Sequence, residues 1–153
     1  MTQNVKQRIL WVDDVFRNVL HDLMAYVDEL EGSKGGFEVV TKTNPDDALT
    51  MLEKQTEKFA CIILDIMLPF GEKITRGEAQ AGNTTGVILE NMIREIDMYK
   101  NVPIVMLTGV RRHEKIVIEY LKRKSKDCFF KADISAEKFR EHIQTRIQEA
   151  SND

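Results

Sequence analysis

The chain has 153 residues but only two cysteines, no long apolar run and no strong excess of charge. Each shortage removes a class of function. Cys61 and Cys128 fall in separate apolar runs and share no metal-ligand spacing, which reads as two reduced core thiols in a cytoplasmic protein. No apolar run approaches the roughly 20 residues of a membrane-spanning helix. The polar stretch from Met1 to Gln7 lacks the apolar centre of a secretory signal. A formal net charge of -3 gives no general attraction to nucleic acid or to an anionic membrane. The short basic runs Arg111-Arg112-His113 and Lys122-Arg123-Lys124 are balanced by Glu114 and Glu119 and read as solvated helix surface. His21, His113 and His142 share no spacing and receive no catalytic role. Repeats and low-complexity segments are absent.

What is present is ordinary in bulk and ordered in pattern. Hydrophobic residues make up 42% and charged residues 31%, the balance of a chain with a real core, and residues 1–153 read as one domain. Short apolar runs alternate with amphipathic segments, the signature of β-α-β units and a parallel sheet. The runs predict strands over 8–13, 37–42, 60–65, 103–108 and 127–131. Most are continuously apolar, as strands covered on both faces are. Helix one is predicted directly after the first strand, with Phe16, Val19, Leu20, Leu23, Val27 and Leu30 at helical spacing and Gly32, Gly35 and Gly36 ending it. Helix two opens on Asn44-Pro45-Asp46-Asp47: a cap, a proline at the first helical position, and acids in the first turn. Helix three carries Leu89, Met92, Ile93 and Ile96, and helix four carries Ile116, Val117, Tyr120 and Leu121. Helix five begins near Ser135, buries Phe139, Ile143 and Ile147, and leaves no room for a second domain. One stretch breaks the rhythm. From Pro69 to Gly86 the chain reads PFGEKITRGEAQAGNTTG, a connection longer than usual, and such loops are often functional or mobile. Phe70 and Ile74 are its candidate apolar contacts.

Polar residues close the strands. Asp13 and Asp14 follow the first, Asp65 closes the third, Thr108 the fourth and Lys131 the fifth. In an open α/β sheet, ligands bind beyond the carboxyl ends of the strands, so these distant residues converge if the sheet forms. Three carboxylates and a lysine suit Mg²⁺ and a phosphoryl group, with one aspartate as nucleophile. A carboxylate attacks phosphorus poorly because two anions repel. A cation and an ammonium cancel that charge and stabilise the transferring oxygens.

On these residues the chain resembles the receiver domain of bacterial two-component response regulators, in its single-domain, chemotaxis-type form. The resemblance spans about 8–148. It is carried by Asp13-Asp14, by Asp65 with Met67-Leu68-Pro69, by Thr108-Gly109, by Lys131, and by Gly86 at the head of a displaced third helix. It implies an α/β, flavodoxin-like doubly wound parallel sheet of strand order 2-1-3-4-5, with a long insertion at about 70–85. It implies that Asp65 is the phosphoacceptor, and that Asp13, Asp14, Asp65 and the carbonyl of Met67 hold Mg²⁺. Thr108 and Lys131 would then engage the phosphoryl group. A sensor histidine kinase or phosphotransfer protein would be the donor and an unknown output protein the reader, with no nucleic acid or membrane partner. The chain would be a monomer or a phosphorylation-dependent dimer. It would be no enzyme beyond Mg²⁺-dependent self-phosphorylation and autodephosphorylation. The decay is expected to be slow, because Met67 and Val110, which flank the site in the family, cannot orient a water.

The chain departs from the family at three points. Ala132 stands where a proline follows the lysine, Cys128 stands at the aromatic position three residues before it, and the insertion is long. Two other functions compete. A receiver-like module that is never phosphorylated usually lacks an acid or the lysine, and this chain keeps them all. A phosphatase of the haloacid-dehalogenase type needs a second aspartate two residues after the nucleophile, where this chain has Met67.

Overall fold

A computed structural model gives the structure and describes residues 5–19, 21–54, 58–79, 84–109 and 114–152. Five strands form the sheet: β1 (Arg8–Val12), β2 (Glu38–Lys42), β3 (Cys61–Leu64), β4 (Ile104–Thr108) and β5 (Cys128–Phe130). All pair in parallel, in the order β2-β1-β3-β4-β5, as the resemblance implies. The helices are α1 (Met24–Glu31), α2 (Pro45–Lys54), α3 (Thr85–Arg94), α4 (Lys115–Lys124) and α5 (Ala136–Ser151).

Strand alternation builds two cores. Successive side chains point to opposite faces. Leu10, Val12, Ile62, Leu64, Ile104 and Met106 therefore face one way and pack on α2, α3 and α4. Ile9, Trp11, Cys61, Ile63, Val105 and Leu107 face the other way and pack on α1 and α5. With both faces covered, β3 is apolar throughout, and β1 and β4 are apolar apart from Arg8 at the start of one and Thr108 at the end of the other, which is why they read as nearly unbroken runs. The cap signals hold as well. Asn44 Oδ1 accepts from Asp47 N at 2.9 Å at the head of α2, and Ser135 Oγ accepts from Lys138 N at 3.1 Å at the head of α5.

Helix one differs from its expectation. After β1 the chain makes a 3-10 turn over Asp14–Arg17, and α1 begins only at Met24. Two contacts near Asp13 account for this. Its Oδ1 caps the turn by accepting from Val15 N at 2.9 Å, and the Phe16 ring meets Trp11 edge-on at 5.4 Å. Both fix a tight turn against the end of β1 rather than an α-helical start. Val19, which helical spacing would bury, is 91% exposed. Leu20, also assigned to that helix, lies outside the described residues, as do Val110 and the run Arg111-Arg112-His113.

Candidate functional site

Asp13, Asp65 and Lys131 each stand one residue beyond a strand, and Thr108 is the last residue of β4. The sheet ladder continues into them and fixes their backbones. Asp13 N donates to Lys42 O at 3.0 Å, Asp65 N to Val12 O at 3.2 Å, and Lys131 N to Thr108 O at 3.0 Å. The side chains meet over the carboxyl edge of the central strands. Thr108 Oγ1 donates to Asp65 Oδ1 at 2.7 Å, and Met67 N lies 3.4 Å from the same oxygen. Lys131 Nζ sits 2.8 Å from Asp13 Oδ2 and 3.4 Å from Asp65 Oδ2. The lysine thus bridges two buried carboxylates.

One ammonium does not fully compensate two carboxylates. Burial and the neighbouring charge of Asp65 push the Asp13 carboxyl above its ordinary range, against the opposing pull of Lys131 and of Val15 N. The Lys131 amine is also raised: burial disfavours its charge, but Asp65 and Asp13 outweigh that cost. Asp13 Oδ2 accepts no well-directed hydrogen bond, so the lysine meets it as a charge. A buried carboxylate oxygen in that state fits a hard cation, which takes oxygen ligands. Asp13 and Asp65 thus offer oxygen donors of the kind Mg²⁺ takes.

Asp14 is not gathered with the others. It belongs to the 3-10 turn and faces Arg17 at 3.6 Å, both side chains at least half exposed. Among the described residues no three acidic, histidine or cysteine side chains group closely enough to hold a metal. Met67 is 48% exposed at the rim.

Gly86 has a demonstrable reason to be glycine. A Cβ on it would lie 1.9 Å from Asp65 O and 2.7 Å from Ile66 Cα. Its N–H donates to Ile66 O at 2.8 Å. The first turn of α3 therefore rests directly on the backbone of the candidate phosphoacceptor, which only a residue without a side chain permits.

The long connection corrects the expectation for Ile74. Asp46, on the first turn of α2, accepts from Glu72 N at 2.9 Å and Lys73 N at 3.0 Å. Lys73 Nζ reaches Thr50 Oγ1 at 3.1 Å. Ile74 and Ala79 are fully buried in the core beside α2 and α3. Ile74 is thus a core residue and not a free contact, while Phe70 remains 42% exposed. Burying such a side chain stabilises by about 2 kcal/mol, enough to pin the segment. Residues 80–83 lie outside the described residues. By its position Asp46 is a plain first-turn acid of α2. Nothing in local sequence marks it as the anchor of a segment 26 residues away.

Tyr26 is another residue the sequence did not single out. Its hydroxyl donates to Lys131 O at 3.0 Å and also contacts Ile134 O. The partners are more than 100 residues away along the chain, so no periodicity reveals them.

No protein-family model and no curated protein matches the sequence. Solved structures do match. A response regulator receiver domain protein from Clostridium thermocellum aligns with a TM-score of 0.67 at 19% identity, over 95% of this chain and 98% of that one. The chemotaxis response regulator CheY4 of Vibrio cholerae aligns at 0.59 and 20% identity, over 95% of this chain and 99% of that one. The phosphorylated cyanobacterial phytochrome response regulator RcpA aligns at 0.62 and 17% identity, over 92% of this chain and 91% of that one. The chain has the fold of response regulator receiver domains.

Proposed function

We propose that this chain is a receiver domain and phosphorylation-dependent switch. It takes a phosphoryl group onto Asp65 from a sensor histidine kinase or phosphotransfer protein in the cytoplasm. The observation that supports this most is the double engagement of one carboxylate, by Thr108 Oγ1 at 2.7 Å on Oδ1 and by Lys131 Nζ at 3.4 Å on Oδ2. In the transfer, an Asp65 oxygen bonds to phosphorus as the bond from phosphorus to the donor's imidazole nitrogen breaks. The leaving imidazole keeps the electron pair and takes up a proton. The Lys131 ammonium offsets the repulsion between the two anions and then pairs with the phosphoryl group. The Thr108 hydroxyl turns its proton to a phosphoryl oxygen. Asp13, Asp14, Asp65 and the Met67 carbonyl would hold Mg²⁺, which neutralises phosphoryl charge when bound. Hydrolysis of the acyl phosphate returns the carboxylate. Output runs through protein contact or onward phosphotransfer, as a monomer or a phosphorylation-dependent dimer.

The turn of Asp14 toward Arg17 favours a second reading, an interaction module of the same fold that works without phosphorylation. One experiment separates the two. Incubation with acetyl phosphate and Mg²⁺ should add a single phosphoryl group by intact mass, and Asp65→Asn should abolish it. A wild-type chain that gains no mass leaves the module as the better account. Equal labelling of the variant removes Asp65 as the acceptor.

A further inference from the structure

We infer that Tyr26 is a positioning residue: its hydroxyl ties the loop after β5 to α1 and so aims the Lys131 ammonium into the site. The inference rests on the reading of Lys131 as the group that pairs with the phosphoryl oxygen.

The loop is short and has little of its own to stiffen it. Lys131 and Ala132 are the central residues of a turn in which Asp133 N donates to Phe130 O at 2.9 Å. Ala132 occupies the place where a proline ring would restrict the backbone. Beyond the turn, Ile134 leads into the Ser135 cap of α5. The carbonyls of Lys131 and Ile134, at the two ends of this loop, converge on the Tyr26 hydroxyl. One phenol thus brackets the loop with a single shared proton. The donor itself is well fixed. Its ring packs edge-on against Phe139 of α5 at 5.8 Å. Burial and the nearby Asp22 charge raise the phenol above its usual value, so it remains a donor at neutral pH.

The consequence falls on one peptide. Lys131 N donates to β4 through Thr108 O at 3.0 Å, while Lys131 O accepts from α1 through Tyr26 at 3.0 Å. With the main chain held from both sides, only side-chain torsions remain to carry Nζ to Asp13 at 2.8 Å and Asp65 at 3.4 Å. Loss of the hydroxyl frees the carbonyl side, and the ammonium then samples positions away from the carboxylates. Small displacements of a positioned group slow a reaction without blocking it.

The test is Tyr26→Phe in the full chain, which keeps the ring on Phe139. In the wild type the Lys131 ammonium should give a resolved nitrogen-proton NMR signal, because pairing with two carboxylates slows its exchange with water. In the variant that signal should broaden or move to the position of a solvated lysine. Labelling of Asp65 by acetyl phosphate should slow by about five- to tenfold, the scale of one lost hydrogen bond expressed as a rate. In a Lys131→Ala background the same substitution should change labelling by less than about twofold, since the two residues act through one another. An unchanged Lys131 signal overturns the inference. Equal slowing in both backgrounds also overturns it, because Tyr26 would then act on the fold at large. If the wild type takes no phosphoryl group, the receiver reading fails by itself, and the Lys131 signal alone decides whether Tyr26 holds the loop.

Discussion

Aspartates lie at both ends of β5, the part-buried Asp127 before it and the buried pair Asp13 and Asp65 beside its end, and the two places are balanced in opposite ways. Just before the strand, Asp127 meets Arg146 through two contacts, Nε to Oδ1 at 3.0 Å and Nη2 to Oδ2 at 3.1 Å. His142 Nε2 adds a third at 3.0 Å. Just after the strand, Lys131 serves Asp13 and Asp65 together. Burial raises both Asp127 and Asp13, but only at Asp127 do the partners win: His142 and Arg146 hold its carboxyl below the ordinary value, while Asp13 stays above. The amino end of the strand is therefore saturated, with a donor for each carboxylate oxygen. The carboxyl end is short of positive charge. Of the aspartates at the two ends, Asp13 is the one that burial and a like charge hold above its ordinary value, so added positive charge would relieve it most.

The largest effect should come from breaking the saturated end. Arg146→Met should lower stability by about 2–3 kcal/mol in urea unfolding at pH 7. That is somewhat less than a fully buried pair loses, because the Arg146 side chain is one-third exposed. A depressed carboxyl contributes stability above its unfolded value of 3.8 and loses it as pH falls through the lower folded value. The gap between wild type and variant should therefore narrow in acid. A gap that does not change with pH would assign the loss to the packing of the arginine stem instead.

The next effect has the opposite sign, at the opposite end. Asp13→Asn keeps an oxygen to cap Val15 N and leaves Lys131 paired with Asp65. Because the folded Asp13 carboxyl is raised above 3.8, the folded chain loses stability as pH climbs through that window, and the amide removes the cost. Without Mg²⁺ at pH 7 the variant should be more stable by about 1 kcal/mol. Thermal unfolding should show the gain shrinking below pH 4 and on adding Mg²⁺, which relieves the wild type. A less stable variant in metal-free buffer would mean that the Lys131 contact already compensates Asp13.

The same contrast marks what sequence can carry. Strand-closing residues were legible because an apolar run must end where its cover ends. Asp13, Asp65, Thr108 and Lys131 meet because parallel strands place those ends side by side. The late start of α1 was not legible. Phe16 and Val19 have helical spacing, yet Phe16 is drawn onto Trp11 and Val19 is left in solvent. Ile74 was hidden for a different reason. A lone apolar residue in a polar stretch has no period, and its burial depends on Asp46 gripping the backbone before it. Tyr26 and Asp127 depend on partners that only the closed fold delivers.

The smallest effects on stability should come from Asp14, which sharpens the comparison because it belongs to neither balance. Its pair with Arg17 is exposed, and such pairs contribute only about 0–1 kcal/mol. Asp14→Asn should therefore leave metal-free stability within about 0.5 kcal/mol of wild type. If Asp14 leaves Arg17 to join Asp13 and Asp65 around Mg²⁺, the same substitution should weaken calorimetric Mg²⁺ binding by about tenfold, or roughly 1.4 kcal/mol. Arg17→Ala should tighten binding by about two- to fivefold, because the carboxylate no longer has a pair to give up. The two substitutions on one exposed pair would then move affinity in opposite directions while stability stays still. Equal affinities for wild type, Asp14→Asn and Arg17→Ala would reduce the acidic site to Asp13 and Asp65 alone.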